Sequence, residues 1–240
     1  MKNLKLFAIL PILTLLVFTS CKKDDDDIIP TQTVKMNAIV LGSSNGFAIL
    51  AGAAVTSTGA TVINGDIGLS PGTAVDGFPP GVLNGTLRIN DEISTPAKLS
   101  LTTAYNDAAG RVSIDMVPLA GNIGGLTLTP GLYKSTSSIE ISSGDVTFDA
   151  KGDANAVFII QIASTFTTTP GRKVILSGGA KASNIFWQVS SSASFGTTTV
   201  MKGVIMALES ITFDTGATLD GQAMARNGAV TLDGNTITKM

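Results

Sequence analysis

Near its C-terminus the chain repeats itself at a fixed interval, and that interval restricts the possible folds more than any other feature. Phe195-Gly196-Thr197-Thr198-Thr199-Val200-Met201-Lys202-Gly203 aligns with Phe213-Asp214-Thr215-Gly216-Ala217-Thr218-Leu219-Asp220-Gly221 at an offset of 18. Ala207 then falls on Ala225, Ile211 on Ala229, Gly216 on Gly234, Thr218 on Thr236 and Leu219 on Ile237. Eighteen residues divide into three sides of about six, a common strand length. A coil with three sides buries its inward row against the coils above and below, so the spacing predicts a triangular β-solenoid. Ile159-Ile160-Gln161-Ile162 and Phe186-Trp187-Gln188-Val189 are similar at an offset of 27, which predicts larger or interrupted coils upstream.

The remaining punctuation agrees. From about Asn45, short runs rich in Val, Ile, Thr and Phe alternate with Gly-containing pairs: Asn64-Gly65, Asn84-Gly85, Lys202-Gly203, Asp220-Gly221, Asn227-Gly228 and Asp233-Gly234. Each pair can place a residue at positive φ where the chain turns. One segment departs from the β pattern. After Ser94-Thr95-Pro96, the residues Ala97, Leu99, Leu101, Ala104, Tyr105, Ala108 and Ala109 recur near helical spacing, and Pro96 suits a first helical turn. A helix over about Thr95 to Arg111 is expected, with its apolar face along one side of the solenoid.

The first residues read as an address. Lys2 and Lys5 precede an apolar run, Leu6 to Phe18, that is too short for a comfortable membrane span. Phe18-Thr19-Ser20-Cys21 resembles a bacterial lipobox, with Phe18 where Leu is usual. The resemblance implies a signal peptide over 1–20 and lipidation of Cys21, the only cysteine. Without lipidation the chain would simply be secreted. Lys22-Lys23-Asp24-Asp25-Asp26-Asp27 cannot fold by itself and is expected to begin a flexible tether over 21–44. A basic and acidic cluster just after the lipidated cysteine is similar to the surface-export signal of Bacteroidetes-type lipoproteins, which implies an outer-membrane lipoprotein facing outward. Residues 45–240 form the folded domain.

Composition narrows the function classes. Sixteen Lys plus Arg stand against eighteen Asp plus Glu, a net charge of −2 with no basic footprint for nucleic acid. The chain has no histidine, which removes the commonest general base and metal ligand. Asp145, Asp149 and Asp153 are the carboxylates a β-helical lyase or hydrolase would need, but their Gly and Ala neighbours mark them as turn residues. There is no Gly-Gly-x-Gly-x-Asp repeat and no EF-hand spacing. No catalytic residue, metal or cofactor is expected.

Several of these segments together carry a resemblance. A glycine-rich solenoid piece with Asn64-Gly65-Asp66-Ile67-Gly68, a helix after Thr95-Pro96-Ala97, Leu128-Thr129-Pro130-Gly131-Leu132-Tyr133, Ala156-Val157-Phe158-Ile159-Ile160-Gln161-Ile162, Asn184-Ile185-Phe186-Trp187-Gln188-Val189 and the Gly203 to Ala207 stretch resemble the microbial ice-binding protein family. The resemblance runs from about Asn45 to Thr238. It implies an all-β fold with one long helix, a discontinuous right-handed triangular β-solenoid whose coils come from both chain halves. It also implies adsorption to ice through a flat face, by a monomer, without catalysis.

The residues favour that activity on separate grounds. Stacked strands about 4.7–4.9 Å apart make any solenoid face a regular grid. Threonine on such a grid presents a methyl and a hydroxyl from a nearly rigid β-branched side chain, and the two together can order water. Thr58-Gly59-Ala60-Thr61 and Thr215-Gly216-Ala217-Thr218 are identical tetrapeptides. Both match the Thr-Ala/Gly-x-Thr/Asn pattern of bacterial members of the family. The candidate ice-binding residues are therefore Thr58, Gly59, Thr61, Thr197, Thr198, Thr215, Gly216, Thr218 and Thr236. Val200 and Asp233 interrupt the threonine columns. Residues three apart on a strand face opposite ways, so Thr215 and Thr218 share a surface only if the backbone bends at Gly216. A surface adhesin or glycan-binding module is the competing reading; it would need an exposed aromatic cluster or a carboxylate-lined groove in place of a regular threonine grid.

Overall fold

The 18-residue repeat is one turn of a three-sided coil. In the computed structural model, which describes residues 29–240, Val200–Ala207 stacks in parallel on Thr218–Ala225, with Val200 against Thr218 and Ala207 against Ala225. Thr218 pairs in turn with Thr236 and Leu219 with Ile237. The offset of 27 holds as well: Ile160 pairs with Trp187 and Gln161 with Gln188. One pairing differs from the repeat. Ile211 lies opposite Val230 rather than Ala229, because the corner after Ala225 contains one residue more than the corner after Ala207. The signal-like segment, Cys21 and the charge run after it lie outside the described residues.

Within one coil the chain visits three sides. Val200 to Lys202 alternates between core and solvent, Gly203 turns the corner, and Val204 to Ala207 is buried on both faces. Ile205 and Ala207 point into the prism, whereas Val204 and Met206 meet a second apolar cluster beneath the helix. Ile211–Phe213 then forms the third side. A twelve-stranded sheet bends round one corner and supplies two sides, a three-stranded sheet continues one of these below, and an eight-stranded sheet forms the last. The prism is filled by Phe148, Phe158, Phe166, Trp187, Phe195 and Phe213 in a chain of ring contacts 4.6–5.4 Å apart.

The coil order is discontinuous. Phe47–Ala51, Ala54–Thr58 and Val62–Asn64 stack on the last C-terminal coil, through Ile49 on Ala223, Val55 on Val230 and Ile63 on Ile237. Helix α1 (Ser94–Gly110) then carries the chain down one side to the far end, from which it climbs back coil by coil. The helix begins one residue before the expected Thr95 and ends one before Arg111. Asp91 caps it: its carboxylate accepts the Ser94 and Ile93 N–H groups at 2.6 and 3.1 Å, while Ser94 Oγ accepts the Asp91 N–H at 3.1 Å. Ala97, Leu101, Ala104, Tyr105 and Ala108 form its buried stripe. Lys98 donates to the carbonyls of Ala225 and Arg226 at 2.8 and 2.7 Å, which ties the helix to the C-terminal coils.

The segment from 29 to 44, expected as tether, is instead packed against the fold, beginning with the half-buried Ile29. Gln32 Oε1 accepts the Leu132 N–H at 2.7 Å, and the Asp115 carboxylate accepts the Thr33 and Val34 N–H groups at 2.6 and 2.9 Å. Ile39 and Leu41 are buried in the cluster beneath the helix. A sequence rich in polar residues on one side of this stretch hid the anchoring role of its few apolar ones.

Glycine has two distinct uses here. Gly65, Gly203, Gly221 and Gly234 take positive φ as expected, but Gly85 and Gly228 do not. Those two are small because neighbouring coils approach them: a Cβ would lie 2.3 Å from the Gly65 carbonyl oxygen or 2.4 Å from Ser210 Oγ. Gly221 is the tightest corner of the repeat, since a Cβ there would lie 2.0 Å from the Gly203 carbonyl oxygen. Gly221→Ala is expected to lower stability by roughly 2–3 kcal/mol. Urea unfolding of the variant measures this, and an unchanged midpoint would mean that the coils can spread at that corner.

Acid sensitivity follows from the carboxylates that hold turns. The Ser94 N–H, ahead of the Ser94 hydroxyl and the Ile93 N–H, lowers Asp91 from 3.8 to about 2. The Ser113 hydroxyl and the Val34 and Thr33 N–H groups hold Asp115 far below the ordinary range. Folded values below unfolded ones mean stability that is present above the unfolded value and lost as pH falls through the folded ones. The melting temperature is therefore expected to stay level down to about pH 4.5 and to fall steeply below it. A level profile down to pH 2 would contradict this linkage.

Candidate functional site

Each of the three sides offers a different surface. Helix α1 covers the first. The second carries mixed chemistry: Lys202 pairs with Asp220 at 3.2 Å, Asn84 donates to Asn64 at 2.8 Å, and Val82 and Ile175 stand 51% and 42% exposed. The third side, the eight-stranded sheet, is open and its strands contain no lysine or arginine.

What these eight strands have in common is one outward register position, although Ala54–Thr58 and Ala74–Asp76 present further residues beside it. Ile211-Thr212-Phe213, Ala193-Ser194-Phe195 and Phe166-Thr167-Thr168 each bury the two outer residues and leave the middle one facing solvent. Register places these middle residues in one column: Thr167, Ser194, Thr212, Thr231 and Thr56 lie on successive coils. Glu140 and Asn122 extend the column at one end and Asp76 at the other. The five central residues therefore form a hydroxyl row with a spacing of about 4.7–4.9 Å. Thr56 Oγ1 donates to Thr231 Oγ1 at 3.4 Å, so even the long-range seam between chain halves continues the row.

A second row flanks the first. Thr165 donates to Ser138 at 2.8 Å, Ser192 Oγ accepts the Ser210 N–H, and Ser210 Oγ accepts the Ala229 N–H. Ala54 and Ala74 complete that row beyond the seam. On the opposite flank Thr215, Asp233 and Thr58 are joined directly. Thr58 Oγ1 donates to Asp233 Oδ1 at 2.8 Å and Thr215 Oγ1 donates to Asp233 Oδ2. The Thr215 and then the Thr58 hydroxyl hold Asp233 below the ordinary carboxylate range. With Thr56, Thr197, Thr212 and Thr231, these residues line a shallow trough.

The nine candidate residues do not share one surface. Phe213 points inward and the backbone bends at Gly216, which takes φ +70°. Thr58, Thr197 and Thr215 consequently edge the hydroxyl side, all exposed. Gly59, Thr198 and Gly216 form the corner itself, with φ of +68°, +58° and +70°. Thr218 and Thr236 lie beyond that corner, in the mixed side, in a column with Val200 and Val62. Thr61 is not a surface residue: it is 0% exposed, and its hydroxyl accepts from Ser57 Oγ at 2.7 Å and the Asn235 N–H at 3.2 Å. The corner after Thr58 holds one residue more than the corner after Asp233, so Val62 takes the position that Thr218 has in its own coil, and Thr61 falls inside the bend, where backbone groups need a buried polar partner. Thr56, Thr167, Ser194, Thr212 and Thr231 were absent from the candidates. Their signal was a hydroxyl residue directly after a buried apolar one, as in Phe166-Thr167, Ala193-Ser194, Ile211-Thr212 and Val230-Thr231, recurring near 18- and 27-residue spacing.

The three acidic turn residues have structural partners. Asp145 accepts the Lys173 N–H, Asp149 pairs with Lys151 at 2.9 Å and Asp153 with Lys35 at 3.3 Å. Among the described residues, no three of the acidic, histidine or cysteine side chains converge on a point where a metal could bind.

Known proteins resemble the chain over most of its length. The sequence profile of the family described as "Ice-binding-like" matches residues 49–238. An ice-binding protein of Nostoc sp. (strain HG1) is 42% identical over 86% of this chain and 76% of its own length. One of Flavobacterium frigoris (strain PS1) is 33% identical over 99% of both chains. Among solved structures, the crystal structure of an ice binding protein from an Antarctic biological consortium superposes with a TM-score of 0.87 at 72% identity, over 88% of this chain and 95% of that one.

Proposed function

The chain belongs to the ice-binding protein family, and from that premise we propose that it adsorbs to ice through the hydroxyl side of its solenoid. The observation that supports this most is the column Thr167, Ser194, Thr212, Thr231 and Thr56, free of cations and laid across five coils. Long cationic side chains would keep their own mobile hydration. Short hydroxyl and methyl groups on a rigid sheet do the opposite, because hydroxyls anchor water while methyls leave it only itself to bond with. The sheet thus holds a water layer in register with its own spacing, and that layer merges with the crystal. Many weak contacts form together, so release requires all of them to fail at once and adsorption becomes effectively irreversible. Growth and recrystallisation of ice slow without any chemical step.

The glycan-binding alternative has less support. Tyr105, Tyr133 and Trp187 are buried, so among the described residues neither tyrosine nor tryptophan offers a sugar-stacking platform. The decisive experiment is an ice recrystallisation assay on residues 29–240. Suppression at micromolar protein is expected; its absence would overturn the ice reading and direct attention to a glycan screen. We further propose that the protein works as a monomer held on the outer membrane surface through lipid on Cys21. Incorporation of radiolabelled palmitate, lost in Cys21→Ser, tests the anchor, and light scattering tests the monomer.

A further inference from the structure

Asp233 occupies the position where the corner column of threonines should continue. Thr215 precedes it by one coil and Thr58, from the other half of the chain, follows it. A carboxylate is the most strongly hydrated group that could be placed there, and no cation in the surrounding strands neutralises it. Both its oxygens are instead engaged by neutral hydroxyls, Oδ1 by Thr58 and Oδ2 by Thr215.

That arrangement restricts what the two threonines can offer to water. A hydroxyl has one proton to donate and two lone pairs with which to accept. An isolated surface threonine can rotate and present either polarity. With both protons directed at Asp233, Thr58 and Thr215 can only accept from the water above them. We infer that Asp233 is a positioning residue of the ice-adsorbing side, fixing Thr58 and Thr215 as paired acceptors toward the anchored water layer. The inference rests on the hydroxyl side being the adsorbing one. It explains how a charge is accommodated on such a surface: the carboxylate orients its neighbours and so orders water at one remove. Because Thr58 and Thr215 are brought together from opposite chain halves, the same clip also holds the seam in register at the point where the surface needs it.

The test combines Asp233→Asn, Asp233→Thr and the double variant Thr58→Val/Thr215→Val, with circular dichroism on each and thermal hysteresis as the readout. Asparagine keeps the volume but exchanges one acceptor for a donor, so it can take only one of the two threonine protons; the other is released, from Thr215 to water, or from Thr58 to water or the Leu232 carbonyl 3.4 Å away. A several-fold loss of hysteresis is expected for Asp233→Asn with an unchanged spectrum. Asp233→Thr completes the threonine column yet is expected to lose activity too. Valine keeps the methyls, so the double variant should retain measurable activity, and adding Asp233→Asn to it should cost nothing more. A purely structural role would give the same loss in both backgrounds and would overturn the inference, as would an Asp233→Thr variant more active than the wild type. An active wild type silenced by Thr212→Tyr but indifferent to Asp233→Asn sinks this inference alone; an inactive wild type sinks the adsorbing surface with it.

Discussion

Thr212→Tyr is expected to reduce thermal hysteresis by about tenfold or more, the scale of loss at the centre of a binding surface, while leaving the fold intact. Thr212 is the middle of the hydroxyl row, with Ser194 and Thr231 in register on either side. Its side chain faces outward between the buried Ile211 and Phe213, so a larger residue displaces no core atom. A tyrosine ring would stand above neighbours only about 4.7–4.9 Å away on each side. An ice plane resting on that ring loses contact with the whole row, which is why one substitution should act on all the weak contacts together. Thr218→Tyr is the matched control, since Thr218 lies beyond the corner in the mixed side. It should retain most of the activity. Should Thr218→Tyr silence the protein and Thr212→Tyr leave it active, the adsorbing surface has been assigned to the wrong side of the prism.

The second large effect comes from beneath that surface. Phe195 is fully buried, and its ring lies 5.4 Å from Phe166 and 4.9 Å from Phe213. These three rings support the strands that carry Thr167, Ser194 and Thr212. Phe195→Ala removes the middle ring, and a coil held between two others has little freedom to collapse into the space. A loss of roughly 3–5 kcal/mol is expected, which corresponds to a melting temperature lower by about 10 °C for a domain of this size. The sheet above the cavity should also lose its flatness, so hysteresis measured near freezing, where the variant is still folded, should fall with it. A melting temperature within about 2 °C of the wild type would show that the stack carries far less energy than buried aromatic groups usually do.

The two variants probe features that were unequally readable in the sequence. Coil height and register were readable, because offsets of 18 and 27 survive as the pairings of Thr218 with Thr236 and Trp187 with Ile160. The helix was readable from its apolar spacing and its proline. The division of the threonines between the sides was not. In the tetrapeptide Thr215-Gly216-Ala217-Thr218 the two threonines look equivalent, but the chain bends at Gly216 and sends them to different sides. Thr61, in the same motif, turns inward because its corner is one residue longer, which leaves Val62 in the position of Thr218 and Thr61 inside the bend, bonded to Ser57 and Asn235. The hydroxyl row was hidden for a different reason. A single threonine between two apolar residues is what any half-buried strand contains, and Thr56 joins Thr231 only through a pairing that no sequence offset announces.

That pairing also sets a limit on when the molecule can exist. Strands from Phe47 to Asn64 find their partners between Thr218 and Thr238, near the opposite terminus. As the chain leaves the ribosome, its first two coils can stack on each other, through Leu50 on Gly68 and Val55 on Val75, but the climbing stack gains this cap only once Thr218 to Thr238 has been made. Contacts so distant in sequence make for slow closure. The domain is complete only when two segments 175 residues apart, Thr56 in one and Thr231 in the other, meet as adjacent coils.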